Sequence, residues 1–172
     1  MTAALARTTI VVGNPKARSR TSGAAAEVAG FVAARLGATP ETTTVELPDL
    51  GPALLGWGDP AVAEAVAAAK GADLLVVASP TYKATYTGLL KLFLDQIGAD
   101  ELAGVVTVPV MVGAGAAHAL AVETHLRPVL VELGATMPTR GLYLQEADLA
   151  DLRPVLEAWW GPAEDPVRRL LG

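Results

Sequence analysis

No cysteine occurs in the 172 residues, so disulfides, thiol nucleophiles and thiolate metal sites are excluded. Histidine is nearly as scarce: His118 and His125 stand seven residues apart, on what reads as one helix face. A metal site would need a third ligand, and no nearby carboxylate has the spacing to supply it, so no metal is expected. No apolar run reaches the ~18 residues of a membrane helix. Positive charge is in short supply, with 13 Lys and Arg against 18 Asp and Glu and a net charge of -5. A broad basic face for nucleic acid is therefore excluded. Neither G-x-G-x-x-G nor G-x-x-x-x-G-K-[ST] follows the first strand, and Ser22 and Ser79 lack a nucleophile-elbow context. The first seven residues are too short and too weakly charged for a signal peptide, which makes the cytoplasm the expected location. There are no repeats, low-complexity tracts or internal boundaries, so 1–172 is expected to form one domain. A hydrophobic fraction of 52% and a mean hydropathy of +0.40 rule out a disordered chain.

Against the acidic background, one basic cluster stands out. Residues 8–12 (Thr-Thr-Ile-Val-Val) read as a strand buried on both faces. Gly13-Asn14-Pro15 stops it, and Lys16-Ala17-Arg18-Ser19-Arg20-Thr21-Ser22 leads into a helix expected from Ser22 or Gly23 to Leu36, with Gly37 as C-cap. Three cations and three hydroxyls thus gather where a helix presents unpaired N–H groups. This is the pattern of a phosphate cradle. A solvated basic loop with a serine N-cap fits the same segment equally well when it is taken alone.

Further strands are expected over 42–47, 73–78, 105–112 and 139–144, and helices over 59–70, 86–97, 118–133 and 151–160. Pro128 should kink or bulge its helix, and Pro162 and Pro166 should end the last one. Residues 48–58 form a Gly- and Pro-rich loop whose Leu50, Leu54, Leu55 and Trp57 suggest a flap folded onto something. Trp57, Trp159 and Trp160 read as core or interface residues. Five alternations of strand and helix predict an α/β three-layer sandwich around a five-stranded parallel sheet, in the flavodoxin-like order 2-1-3-4-5. In such sheets ligands bind beyond the carboxyl ends of the strands, at the switch point beside the first. The loops 13–22, 79–86 and 113–117 should meet there, and that coincidence favours the cradle over the solvated loop.

The loop after the third strand, Ser79-Pro80-Thr81-Tyr82-Lys83-Ala84-Thr85-Tyr86, can wall a planar aromatic ligand and offer it amide N–H groups; a capped turn feeding a core helix is the alternative. Gly113-x-Gly115-x-x-His118 misses the dinucleotide pattern at its third position. Its glycines are better read as letting backbone N–H groups approach a flat ligand. His118 reads as a capping or site-lining residue and His125 as packing or interface.

Together, Gly13-Asn14-Pro15-Lys16-x-x-Ser19-Arg20-Thr21-Ser22 and Ser79-Pro80-Thr81-Tyr82-Lys83-x-x-Tyr86-x-Gly88-x-x-Lys91-x-x-x-Asp95-Gln96 resemble the NAD(P)H-dependent FMN reductases over residues 8–145. The stretches 113–118 and 120–130 resemble the branch supplying reduced flavin to alkanesulfonate-type monooxygenases. The resemblance implies a flavodoxin-like fold, FMN and NAD(P)H as cofactor and substrate, and hydride transfer between them. It implies that Asn14, Lys16, Ser19, Arg20, Thr21 and Ser22 hold the FMN phosphate. Pro80, Thr81, Tyr82, Lys83, Gly113, Ala114 and Gly115 would border the isoalloxazine ring, backbone amides of Thr81, Tyr82 and Gly115 would supply donors, and no catalytic side chain is expected. It also implies a homodimer or dimer of dimers through the 86–97 helix and a flavin-dependent monooxygenase partner. In that branch an aromatic residue makes a π-bulge in the fourth helix; the matching position here is Thr124, beside His125, a departure from the pattern. The alternatives are an FMN-bound quinone or azo reductase, or a non-catalytic flavin-binding electron carrier.

Overall fold

In the computed structural model, which describes residues 5–172, five parallel strands carry the fold. Residues 1–4, part of the segment judged too short for a signal peptide, lie outside the described residues. The strands are β1 (Arg7–Val12), β2 (Glu41–Glu46), β3 (Leu74–Pro80), β4 (Val106–Gly113) and β5 (Leu142–Gln145), in the spatial order β2-β1-β3-β4-β5. The helices are α1 (Arg20–Leu36), a single turn α2 (Leu47–Leu50), α3 (Pro60–Lys70), α4 (Gly88–Leu94), α5 (Arg127–Glu132) and α6 (Arg153–Leu171). Flavodoxin-like order and topology are thus as the alternation predicts. No helix among the described residues is long and apolar enough to cross a membrane.

The pleat sorts the core into two layers. Ile10, Val12, Leu74, Val76, Ala78, Val108 and Val110 face α1 and α6, while Val11, Leu75, Val77 and Met111 face α3, α4 and α5. Edge strand β2 is mostly exposed, as its Thr-rich sequence suggests. Asp59 caps α3 by accepting from Ala61 N and Val62 N at 2.9 and 3.3 Å, ahead of Pro60. The 48–58 loop folds in only partly: Leu54 is buried and Leu50 half-buried, whereas Leu55 and Trp57 are 74% and 78% exposed.

Four expected boundaries are corrected. Helix α1 starts at Arg20, not at Ser22 or Gly23, because Ser19 is its N-cap and accepts from Ser22 N at 3.3 Å. Arg20, Thr21 and Ser22 therefore belong to the first helical turn. Helix α4 is shorter than 86–97, with Thr87 as its cap. Strand β5 starts three residues late because side chains hold the segment before it: Arg127 donates to Met137 O and Thr139 O, Trp159 Nε1 donates to Arg140 O, and Gly141 N donates to Glu123 Oε1.

The fourth correction concerns α6, which runs through Pro162 and Pro166 to Leu171. Each interior proline removes a hydrogen bond and costs about 3 kcal/mol in an isolated helix. Beyond Pro162, Ala163, Val167 and Leu171 remain buried, and burying a Val or Leu contributes about 1.5–3 kcal/mol. Arg168 Nη2 donating to Arg35 O and Leu5 N donating to Leu171 O fix the end of the helix. Packing on the sheet outweighs the local stop signal.

Pro128 disturbs its helix as expected. Residues Val122–Leu126 form a π-helical turn, closed by Arg127 N donating to Val122 O, before α5 begins. The turn forms with Thr124 and no aromatic at that position; Thr124 Oγ1 donates to Leu120 O at 2.9 Å, and Pro128 has no N–H to misplace.

Candidate functional site

The first loop is built by its own side chains. Asn14 Oδ1 accepts from Lys16 N at 2.9 Å, forming an Asx turn, and Asn14 Nδ2 donates to Thr21 Oγ1 at 3.1 Å. Arg18 adopts a left-handed backbone with φ 50°. This turn delivers the chain to the N-terminus of α1, whose free N–H groups and dipole favour an anion.

The second loop is fastened to the first by the buried Thr87 hydroxyl and braced within itself by that of Ser79, two roles that sequence reading missed. Thr87 Oγ1 donates to Gly13 O at 2.5 Å and accepts from Leu90 N at 3.1 Å. Ser79 Oγ accepts from Thr87 N at 3.0 Å. Between them the chain reverses at Lys83 and Ala84, both left-handed (φ 51° and 69°), with Tyr82 and Thr85 exchanging backbone hydrogen bonds of 2.8 and 3.2 Å. Two consecutive non-glycine residues in this region cost free energy, and such strain gathers at functional sites. Thr81 N donates to Val112 O, and Thr81 Oγ1 is buried without a partner.

The third loop lies alongside. Tyr143 Oη donates to Gly115 O at 2.8 Å, and a Cβ on Gly113 would overlap that hydroxyl and lie 2.8 Å from Tyr143 Cζ. Gly113 is therefore required by a close approach. Glu146 N donates to Gly113 O, tying the end of β5 to the same loop.

These loops enclose a cleft of about 350 Å³ lined by Asn14, Lys16, Ser19, Arg20, Thr21, Pro80, Tyr82 and Val112, with Arg18 and Glu146 on its rim. Six of the thirteen residues singled out from the sequence do not line the cleft, and two that do, Val112 and Glu146, were not foreseen. Ser22 turns to Glu46, Lys83 sits at the apex of its turn, and Thr81, Gly113, Ala114 and Gly115 flank the cleft. Lining the neighbouring groove are Ala84, His118, Leu120, Thr124 and His125, with Leu120 68% exposed. Among the described residues, no group of three or more potential metal ligands forms around His118, His125 or elsewhere.

Acidic side chains meet the basic loop at three points. Glu46 Oε1 accepts from Ser22 Oγ at 2.5 Å and from Arg18 N at 3.2 Å. Arg18 also pairs with Asp49 at 3.6 Å, and Arg20 Nη2 pairs with Glu146 Oε2 at 3.1 Å. The signal was present in the sequence: Glu46 ends the second strand and Glu146 follows the fifth, so both fall at the carboxyl edge. A larger groove between α1 and α6 has no converging loops, and its Arg35 and Arg153 both pair with Glu157.

The cleft suits a phosphorylated planar ligand such as FMN. Helix α1, Ser19, Thr21 and the loop cations match a phosphate, while Pro80, Tyr82, the unpartnered Thr81 hydroxyl and the glycines of the third loop match a flat heteroaromatic ring.

Comparison with known proteins agrees with this geometry. Residues 6–148 match the family model described as NADPH-dependent FMN reductase. The NADH-dependent FMN reductase SfnF of Pseudomonas putida is 34% identical over 148 residues, covering 83% of this chain and 79% of that protein. An FMN reductase (NADPH) of Escherichia coli strain K12 is 41% identical over 80 residues, which is 46% of this chain and 42% of that protein, so this match spans less than half of the relative. The apo-form crystal structure of an NADH:FMN oxidoreductase (EMOB) superposes with a TM-score of 0.75 at 31% identity, over 96% of this chain and 95% of that one. An oxidoreductase from Corynebacterium diphtheriae gives a TM-score of 0.79 at 25% identity, over 95% and 98% of the two chains. On the family model and the near full-length relative, the chain belongs to the NADPH-dependent FMN reductase family.

Proposed function

We propose that this protein is an NAD(P)H-dependent FMN reductase that binds FMN in the 350 Å³ cleft. One observation carries the reading: the cationic N-terminus of α1 and the Pro80–Thr85 turn meet in a single cleft at the carboxyl edge of β1 and β3. Bound FMN supplies the chemistry by accepting a hydride on its ring from a reduced nicotinamide. The chain supplies position. Asn14, Lys16, Ser19, Arg20 and Thr21 hold the phosphate end, with Ser22 in the same turn. Pro80 and Tyr82 bound the ring, and amides of Thr81, Tyr82 and Gly115 give donors to the negative charge that grows on its pyrimidine side. Lys83, Gly113 and Ala114 complete the border. No side chain is needed as acid or base.

The test is steady-state oxidation of NADPH and NADH with and without added FMN. Saturable dependence on added FMN is expected. Activity without added flavin, raised by quinones, would instead favour a permanently bound FMN and a quinone or azo reductase; no oxidation under either condition would end the reading. We extend the proposal to a flavin-consuming monooxygenase as partner and to work in the cytoplasm, where reduced nicotinamide is supplied. It includes a homodimer, or dimer of dimers, through α4. Leu90, Phe93, Leu94 and Ile97 are covered within the chain, but Leu89 and Leu92 are only partly so. The exposed Leu55 and Trp57 adjoin them, where Gln96 Nε2 donates to Gly56 O. Light scattering at micromolar concentration should report at least a dimer; a monomer would remove this part.

A further inference from the structure

We infer that Glu46 limits the affinity of the cleft for a phosphorylated flavin, and so keeps FMN exchangeable. The inference rests on the FMN reading above. Glu46 is the last residue of β2 and stands in register with Val12, one residue before Gly13. Its height on the sheet is therefore that of the phosphate loop itself. Its Oε1 takes the Ser22 hydroxyl at 2.5 Å and the Arg18 amide at 3.2 Å. Both are donors that an incoming phosphate would use. Its other oxygen, Oε2, is buried with no hydrogen-bond partner.

Charge leads to the same conclusion. Of the three cations of the loop, Arg18 pairs with Asp49 and Arg20 with Glu146, while Glu46 takes two of the loop's hydrogen-bond donors, so three carboxylates offset much of the loop's positive charge before any ligand arrives. A phosphate monoester carrying about 1.5 to 2 negative charges therefore meets cations that carboxylates already compensate in part. Asp49 and Glu146 are 58% and 45% exposed along their side chains and can turn to water. Glu46 is different, because a strand and two hydrogen bonds hold it in place. Its carboxylate either keeps its donors from the phosphate or stands beside the phosphate as a like charge. Both weaken FMN, and neither touches a flavin that lacks the phosphate.

The experiment is a flavin-fluorescence titration of the full-length protein with FMN and, separately, with riboflavin, for wild type, Glu46→Gln and Glu46→Ala. Glutamine keeps the size and the acceptor and removes the charge; alanine also frees the two donors. The expected result is an FMN Kd lower by about tenfold in Glu46→Gln and lower again in Glu46→Ala, with riboflavin Kd changed by less than about twofold. Should the alanine variant fail to fold, the isosteric glutamine variant decides alone. Unchanged or weaker FMN binding, or equal tightening of both flavins, overturns the inference while leaving the FMN reading intact. Absence of binding of either flavin to wild type overturns both.

Discussion

Replacing Gly13 by alanine should lower the melting temperature by roughly 5–15 °C, an effect of about 2–4 kcal/mol in a chain of this length. Gly13 follows β1 beside Leu90 of α4, and an added Cβ would lie 2.5 Å from Leu90 Cβ and 3.2 Å from Leu90 Cα. The backbone contact means that rotating one side chain does not relieve the clash; the helix must move. Moving it lengthens the buried bond from Thr87 Oγ1 to Gly13 O, and a buried carbonyl left without its donor costs about 1–3 kcal/mol. The same shift drags Asn14, so FMN affinity should fall along with stability. Gly30 gives the control: it lies exposed within α1 with nothing within 4 Å of an added Cβ. Gly30→Ala should raise stability by about 0.5–1 kcal/mol. Thermal melts of the two variants separate close packing from helix propensity, and a Gly13→Ala protein that melts like wild type would contradict the packing described.

Arg20→Ala should weaken FMN binding by about 10- to 150-fold, since a charge-assisted phosphate contact contributes about 1.5–3 kcal/mol. Arg20 opens α1, so its side chain and the helix N-terminus act on the same anion. Its removal also leaves Glu146, now 3.1 Å from the guanidinium, as an uncompensated negative charge at the rim. Both effects oppose the phosphate. Riboflavin affinity should hold, and Arg20→Lys, which keeps the charge and loses the planar fork, should fall between. Fluorescence titration reads all three. Unchanged FMN affinity in Arg20→Ala would remove the phosphate assignment.

The sheet was legible because its signals are local: β-branched runs closed by Gly, Pro or Ser, and helices spaced between them, leave few parallel topologies. The loops that converge were legible for the same reason, since topology alone places 13–22, 79–86 and 113–117 at one edge. The pairings within the site were not. That Ser22 would face Glu46, or that Thr87 would reach Gly13 across 74 positions, depends on strand register and on side-chain directions that no local pattern encodes. The start of α1 was misplaced because Ser19 and Ser22 are equally good caps by residue type; the Asn14 turn decides between them by setting where the backbone arrives. The end of α6 was misplaced because proline is a local signal and the stripe of Ala163, Val167 and Leu171 is a tertiary one.

That last helix has a consequence for the order of events during folding. A segment carrying two interior prolines has little tendency to coil before it has a surface to lie on, and helix nucleation is unfavourable even without them. It packs on α1 and shares one core cluster with residues of β1, β3, β4 and β5, all of which precede it along the chain. The 19 residues of α6 are therefore expected to coil late, as a latch on a platform that is already formed.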